Sequence, residues 1–399
     1  MARTTKQSVA ILLLSWLAYL ASYLGRSNYG ACLLEIVAAT SITRAAAGMV
    51  SSAFALCNAV GQLAVATVVR KLSPIRLIGL ELFGVALINL VFPSLDSIGP
   101  MMLLWGLNGA LQATLLSGLT VLFLDSLNEP WLSRGTVLLN TVGAVGGMIN
   151  YLCAPILIGT LGWRSVFYTV FSVLGAMLVL WYMLMPRLTA KTEKRERKRE
   201  KAAPNAPPRI GYGLASAALL SLVVGMMRES VTLWLPSYLH DSFAIGAARA
   251  TTLTALIPML QILGAFFAGW IGRRTKNIFL PTALFFLLSA LSFGMIHSGA
   301  PGMSFTVCLF VLNAIAMTGA LTVLLSVYPI RHIARAKIAG VVAMLNFFVH
   351  LGDFVASTGY GWLSTLGGWS LSLSVMMGLA LFAATIALLG LKTGNKRRF

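Results

Sequence analysis

Twelve apolar runs of about twenty residues or more, parted by short gaps of charge, proline and glycine, most narrow what this chain can become. They cover 8–38, 45–68, 75–95, 98–124, 134–160, 164–186, 211–239, 246–272, 278–297, 301–329, 336–363 and 368–391. An α-helix rises about 1.5 Å per residue, so about 20 residues cross a hydrocarbon core about 30 Å thick. Lipid offers no partner to an unpaired backbone, so each run is expected to be a helix. A transmembrane barrel would show alternating segments of about ten residues, whereas these runs are continuous over twice that length. Composition agrees, with 58% of the 399 residues hydrophobic and 10% charged, against roughly 25% charged in soluble domains. Two or three soluble domains would lack the polar surface to cover them. The expectation is an all-α, polytopic membrane protein of twelve spans.

The formal net charge of +19 raises nucleic acid as a partner, but the placement of the charges argues against it. Of the 30 Lys and Arg, 25 fall in gaps on one face: Arg3 and Lys6, Arg70, Lys71 and Arg76, Arg134, the run 187–209, Arg273, Arg274 and Lys276, Arg331, Arg335 and Lys337, and Lys392, Lys396, Arg397 and Arg398. Arg44, Arg164 and Arg249 fall on the other face. The positive-inside rule puts the rich face, with both termini, in the cytoplasm of a bacterial inner (plasma) membrane. Arg3 and Lys6 before an apolar run look like a signal peptide, but the run continues past residue 24 and reads as the first span. Cys32, Cys57, Cys153 and Cys308 lie in apolar stretches without metal spacing and read as packing residues. No P-loop, HExxH or GxSxG occurs. The chain is therefore expected not to be an enzyme, to carry no cofactor or metal, and to draw energy from a gradient.

One gap differs from the rest. Residues 187–209 are charged and then proline-rich, the composition of a solvated linker. It divides six spans (1–186) from six (210–399). The halves echo each other: Arg26 recurs as Arg228, Arg70 as Arg273, Arg134 as Lys337 and Gly162-Trp163 as Gly368-Trp369, at offsets of 202, 203, 203 and 206. Parallel six-helix halves related by an axis along the membrane normal are the architecture of the major facilitator superfamily, whose substrate site lies at midplane between the halves.

Arg26 and Arg228 each sit inside an apolar run. Arg26 is at least ten residues from either end of its run, about 15 Å from an interface by helical rise and too deep to snorkel. An arginine there costs about 2.5–3.5 kcal/mol on insertion scales. Duplication puts the two at equivalent places facing one cavity. Their planar forks match carboxylate or phosphate oxygens, and two positive charges suit a dianion. The competing reading is structural pairing, of Arg228 with Glu229 or Asp353 and of Arg26 with Glu35.

Glu229, His350 and Asp353 are ionisable at membrane depth and are candidates for coupling or selectivity. His350 and Asp353, at i and i+3, share a helix face; a polar bridge between helices is the plainer alternative. Glu35 reads as an interfacial group. Tyr23, Tyr29, Gln112, Tyr151 and Trp234 are candidate substrate-binding residues, offering donors and ring faces, with Asn28 a weaker one; tyrosines also serve as interfacial anchors. Gly143, Gly146, Gly147, Gly359 and Gly361 read as packing positions that let helices approach.

Five stretches resemble a known family. They are Tyr23-Leu24-Gly25-Arg26-Ser27-Asn28-Tyr29; Asn108-Gly109 with Gln112; Arg134-Gly135 with Asn140, Gly143, Val145, Gly146 and Gly147; Arg228 with Val231, Trp234, Pro236, Tyr238 and Leu239; and Ala339-Gly340 through Leu351-Gly352. The pattern is similar to that of the organophosphate:phosphate antiporters of the major facilitator superfamily, which include glycerol-3-phosphate and hexose-6-phosphate transporters. The resemblance implies that Arg26 and Arg228 bind the substrate phosphate, that inorganic phosphate is the exchange partner, and that access alternates by a rocker switch. Three departures stand out. Gly143 replaces the histidine of glycerol-phosphate transporters. The loops at Gly61–Val65 and Gly269–Arg273 lack the superfamily's Asp. His350 and Asp353 occupy the eleventh span. Two alternatives stay open: a proton-coupled symporter of an organic carboxylate or sugar acid, and a transporter-like membrane sensor. The expected state is a monomer in the bilayer, binding a small anion together with phosphate or a proton, and no nucleic acid.

Overall fold

A computed structural model describes residues 5–189, 212–275, 277–299, 302–333 and 338–394. Most of the expected linker lies outside them; its first three residues continue the sixth span. The described residues are mostly helical, with short turns between helices and no strand among them. The first ten crossings are α1 (Thr5–Ala31), α2 (Arg44–Val65), α3 (Pro74–Ser94), α4 (Ile98–Ser126), α5 (Pro130–Leu161), α6 (Arg164–Thr189), α7 (Tyr212–Phe243), α8 (Ala247–Gly272), α9 (Phe279–His297) and α10 (Met303–His332). One continuous helical stretch, Ile338–Gly394, holds the last two and is broken by the non-helical Gly367 and Gly368. Residues 338–366 are α11 and 369–394 are α12. All twelve runs are thus found.

Local chemistry sets the ends. Thr43 accepts from the Ala46 N–H (3.2 Å) and caps α2; Ser73 does the same for α3, ahead of Pro74 at its first turn. Gly162 closes α5 with φ +81° and Gly368 turns α11 into α12 with φ +67°, a backbone that favours glycine. A tryptophan follows each, so the Gly-Trp repeat seen in sequence is a repeated turn. The first run proves to be two helices: α1 stops at Ala31, and Leu33–Thr40 forms a separate short helix.

Within the first half α2 packs on α4, α3 on α6, and α1 on α5 and α6; within the second, α7 packs on α11, and α9 on α10 and α12. Between halves α2 meets α11 and α5 meets α8. The helices lining the middle are irregular. The α-helical pattern breaks at Ala113–Thr114 in α4, at Asn140–Thr141 in α5 and at Gln261 in α8, and α10 contains a π turn over Val323–Val327. Such breaks bend a helix and free backbone groups, and they often mark functional walls.

Two ends can be distinguished: a proximal end where α1 begins and α12 finishes, and a distal end opposite. The described basic residues outside the spans' interiors gather proximally, at Lys6, Lys71, Arg76, Arg134, Arg187, Arg274 and Arg331, against Arg44, Arg164 and Arg249 distally.

Candidate functional site: a cavity between the two halves

A cavity of about 690 Å³ lies between the halves, lined from the level of Arg26 and His350 toward the proximal end. Its volume falls within the roughly 300–1,000 Å³ of small-molecule sites. Both Arg26 of α1 and Arg228 of α7 line it, as do Tyr23, Gln112 and His350. The two guanidinium-bearing residues therefore face one space rather than separate niches. A second chamber of about 90 Å³ continues on the distal side of Arg26, lined by Tyr23, Arg26, Ser51, Phe54, Tyr151, Gln261, His350 and Asp353 among others. Arg26, Tyr23, Gln261 and His350 border both spaces.

Arg26 is framed by aromatic faces. Its guanidinium carbon is 4.9 Å from the centroid of Phe54 and 5.3 Å from that of Tyr23. Each cation–π contact is worth about 0.5–2 kcal/mol, more as water is excluded. The helix that carries Arg26 is held from behind by carboxamides. Asn108 Nδ2 donates to the Gly25 carbonyl (2.8 Å), Gln112 Nε2 to the Ser22 carbonyl (3.3 Å), and Asn150 Nδ2 to the Leu24 carbonyl (2.9 Å). Asn28 is buried and donates to Asn89 Oδ1 (2.7 Å). Three helices thus fix the turn from which Arg26 projects.

On α11, His350 Nδ1 lies 3.3 Å from Asp353 Oδ2, and both residues are nearly buried at the distal rim of the cavity. The i,i+3 spacing places them together as the sequence indicated. A second polar line runs along the wall: Asn346 Nδ2 donates to Gln62 Oε1 (2.5 Å), Gln62 Nε2 to Asn58 Oδ1 (2.9 Å) and Asn58 Nδ2 to the Gly109 carbonyl (3.0 Å). It joins α11 to α2 and α4.

Not every candidate reaches the cavity. Tyr29 is buried in an aromatic cluster with Phe92 and Trp105, and its hydroxyl donates to the Ala47 carbonyl (2.7 Å). Trp234 is buried between α7 and α11, donating from Nε1 to the Ser357 carbonyl (3.0 Å). Neither lines the site. Tyr151 borders the small chamber, and its hydroxyl donates to the Thr232 carbonyl (3.1 Å), tying α5 to α7. The side chain of Glu229 lies outside what the structure describes. Gly146 sits against Tyr23, Gly147 against Pro258 of α8 and Gly361 against Trp234 and the Arg44 carbonyl. Gly143 makes only ordinary contact with Tyr23, and nothing lies within 4 Å of a Cβ placed on Gly359, so Gly359 is not a close-packing position.

Sequence reading missed several contributors. Phe54, Ser51, Gln261 and Asn346 carry no charge and stand in spans of similar composition, so nothing marked them. Glu81 did carry a signal, a lone acid inside the apolar run of α3, and it lies buried next to Ser22.

The distal end is shut. Arg44 and Asp241 form an ion pair (2.5 Å) between α2 and α7, and Trp369 Nε1 donates to the same carboxylate oxygen (2.8 Å). Ser52 Oγ donates to the Phe354 carbonyl (2.6 Å), linking α2 to α11.

Residues 15–357 match the Major Facilitator Superfamily, and the chain belongs to that family; it is a transporter by family, not an enzyme. Among curated proteins it is 23% identical over 290 residues to the membrane sensor protein UhpC of Salmonella typhimurium (strain LT2), covering 67% of this chain and 64% of that protein. It is 23% identical over 294 residues to UhpC of Escherichia coli K12, covering 67% and 65%. The chain thus matches just under two thirds of the length of these relatives. Among solved structures it resembles a bacterial homologue of the human lysosomal transporter Spinster in an inward-facing, occupied conformation, with TM-score 0.84 at 15% identity over 100% and 99% of the two chains. It also resembles the inward-open xylose transporter XylE of E. coli, with TM-score 0.76 at 12% identity over 96% of each chain. These two likenesses bear on the fold alone.

Proposed function

We propose that the protein exchanges a small organic phosphate for inorganic phosphate across a bacterial inner membrane, as a monomer, with Arg26 and Arg228 as the anion site. The observation that carries this reading is that both arginines line one cavity between the halves. A phosphate dianion can take a planar fork from each. The basic proximal end is then cytoplasmic, as the positive-inside rule requires, and the described state faces inward. Bound dianion draws the halves together and lowers the barrier to reorientation. The empty carrier keeps two like charges in one space and reorients slowly, which makes exchange obligatory. The relation to UhpC, named a membrane sensor, keeps a second reading in play: a receptor that binds the same anion without moving it.

Phosphate counterflow in proteoliposomes tests the proposal. Vesicles loaded with phosphate are expected to take up labelled phosphate, and unloaded vesicles are not. Saturable binding to the purified protein with no flux under any loading would favour the receptor. Accumulation driven by an imposed proton gradient into unloaded vesicles would favour symport, for which His350 and Asp353 are the candidates.

A further inference from the structure

Glu81 sits on α3 and is 1% exposed, behind the wall of the cavity rather than in it. Ser22 Oγ donates to its Oε1. Its Oε2 is buried with no hydrogen-bond partner among the described residues. A carboxylate can accept about four hydrogen bonds, so an ionised Glu81 would be left poorly solvated, and burying such a charge is costly. A protonated acid meets the same surroundings without that cost.

The surroundings connect this acid to the site. Ser22 and Arg26 are four residues apart on α1, about 6 Å by helical rise and on one face. Tyr19, one turn the other way, lines the cavity. Gln112, also on the cavity wall, donates to the Ser22 carbonyl. The helices packed on α3 are α6, α4 and α1. On α4 the only titratable residue is Asp125, exposed near the proximal end. On α6, the Tyr182 hydroxyl rests against Gly79, on a different face of α3 from Glu81, and Arg164 and Arg187 stand at the two ends. That leaves Tyr19, Tyr23 and Arg26 of α1 as the titratable residues that line the cavity from a helix packed on α3.

We propose that Glu81 is a proton-binding site, with Oε2 the atom that takes and releases the proton, filled when an anion occupies Arg26. The second half of this rests on Arg26 being the anion site. Anion bound there offsets the positive charge one turn from Ser22, so an anion and a proton from the cavity water arrive together.

Infrared difference spectroscopy on the protein in lipid vesicles tests it in two arms. In a pH jump without ligand, acidification is expected to raise a carboxylic-acid C=O stretch that is lost in Glu81→Gln. Absence of the band, or its persistence unchanged in Glu81→Gln, would overturn the proposal. Should Glu81→Gln fail to fold, Ser22→Ala keeps the carboxyl and removes its donor. The band is then expected to shift to higher frequency, and an unshifted band overturns the assignment. In the second arm phosphate is added to the wild type and to Arg26→Lys. The same band is expected to rise with phosphate only in the wild type. A pH-sensitive Glu81 band that ignores phosphate, while calorimetry shows phosphate bound, overturns the coupling. A pH-sensitive band with no phosphate bound supports the proton site and counts against the arginine reading instead.

Discussion

Arg26 projects into water-accessible space with an aromatic ring on either side and with its own helix turn tied down from three neighbours. That combination orients a guanidinium before any ligand arrives, which is what keeps the entropic cost of binding low. Phe54 contributes its π face at 4.9 Å and also packs near Trp105. Replacing Phe54 with leucine keeps most of the apolar volume and removes the ring quadrupole. Phosphate affinity is expected to fall about threefold to tenfold, with thermal stability nearly unchanged, when measured by titration calorimetry beside a melting curve. Unchanged affinity would show that the ring only fills space.

At the scale of the helices, two glycines mark contacts with different consequences. A Cβ on Gly225 of α7 would meet the Val349 carbonyl of α11 at 1.9 Å, inside one half. A Cβ on Gly48 of α2 would meet the Ser357 carbonyl of α11 at 2.2 Å, across the seam between halves. Backbone cannot swing aside as a side chain can, so alanine at either position forces helices apart. Gly225→Ala is expected to lower the unfolding temperature by about 2–12 °C. Gly48→Ala is expected instead to loosen the distal seam, because the halves can separate as bodies. A cysteine placed at Ser51, with the four native cysteines replaced, should then react several times faster with an impermeant thiol reagent applied from the distal side. Equal melting losses and no change in labelling would mean that the seam is not a moving contact. These contacts also show what could be read from sequence. The spans, the Gly-Trp repeat at Gly162 and Gly368, and the buried arginines all follow from charge, punctuation by Pro and Gly, and length. Which face a neutral residue presents does not, because helices such as α1 and α7 carry apolar residues on all sides and give no clear stripe to follow. Tyr29 and Trp234 were misplaced for that reason, and Phe54, Gln261 and Asn346 passed unnoticed.

Across the whole molecule, one end is sealed and the other open. The seal combines the Arg44–Asp241 pair, the Trp369 hydrogen bond and the α2–α11 contacts. An ion pair that is partly exposed contributes about 0.2–1 kcal/mol and a hydrogen bond about 0.5–1.5 kcal/mol. Sums of that size hold one state without locking it, as a carrier that must alternate requires. Between the seal and the open mouth lies the cavity that both arginines line, and the functional reading depends on their acting as a pair. The most direct check is phosphate binding by titration calorimetry to wild type, Arg26→Lys and Arg228→Lys in the same detergent. A lysine keeps the charge and loses the planar fork. Each variant is expected to stay folded and to bind phosphate at least about tenfold more weakly, a loss of about 1.4 kcal/mol. Folded variants that both bind within twofold of the wild type would contradict the two-arginine site.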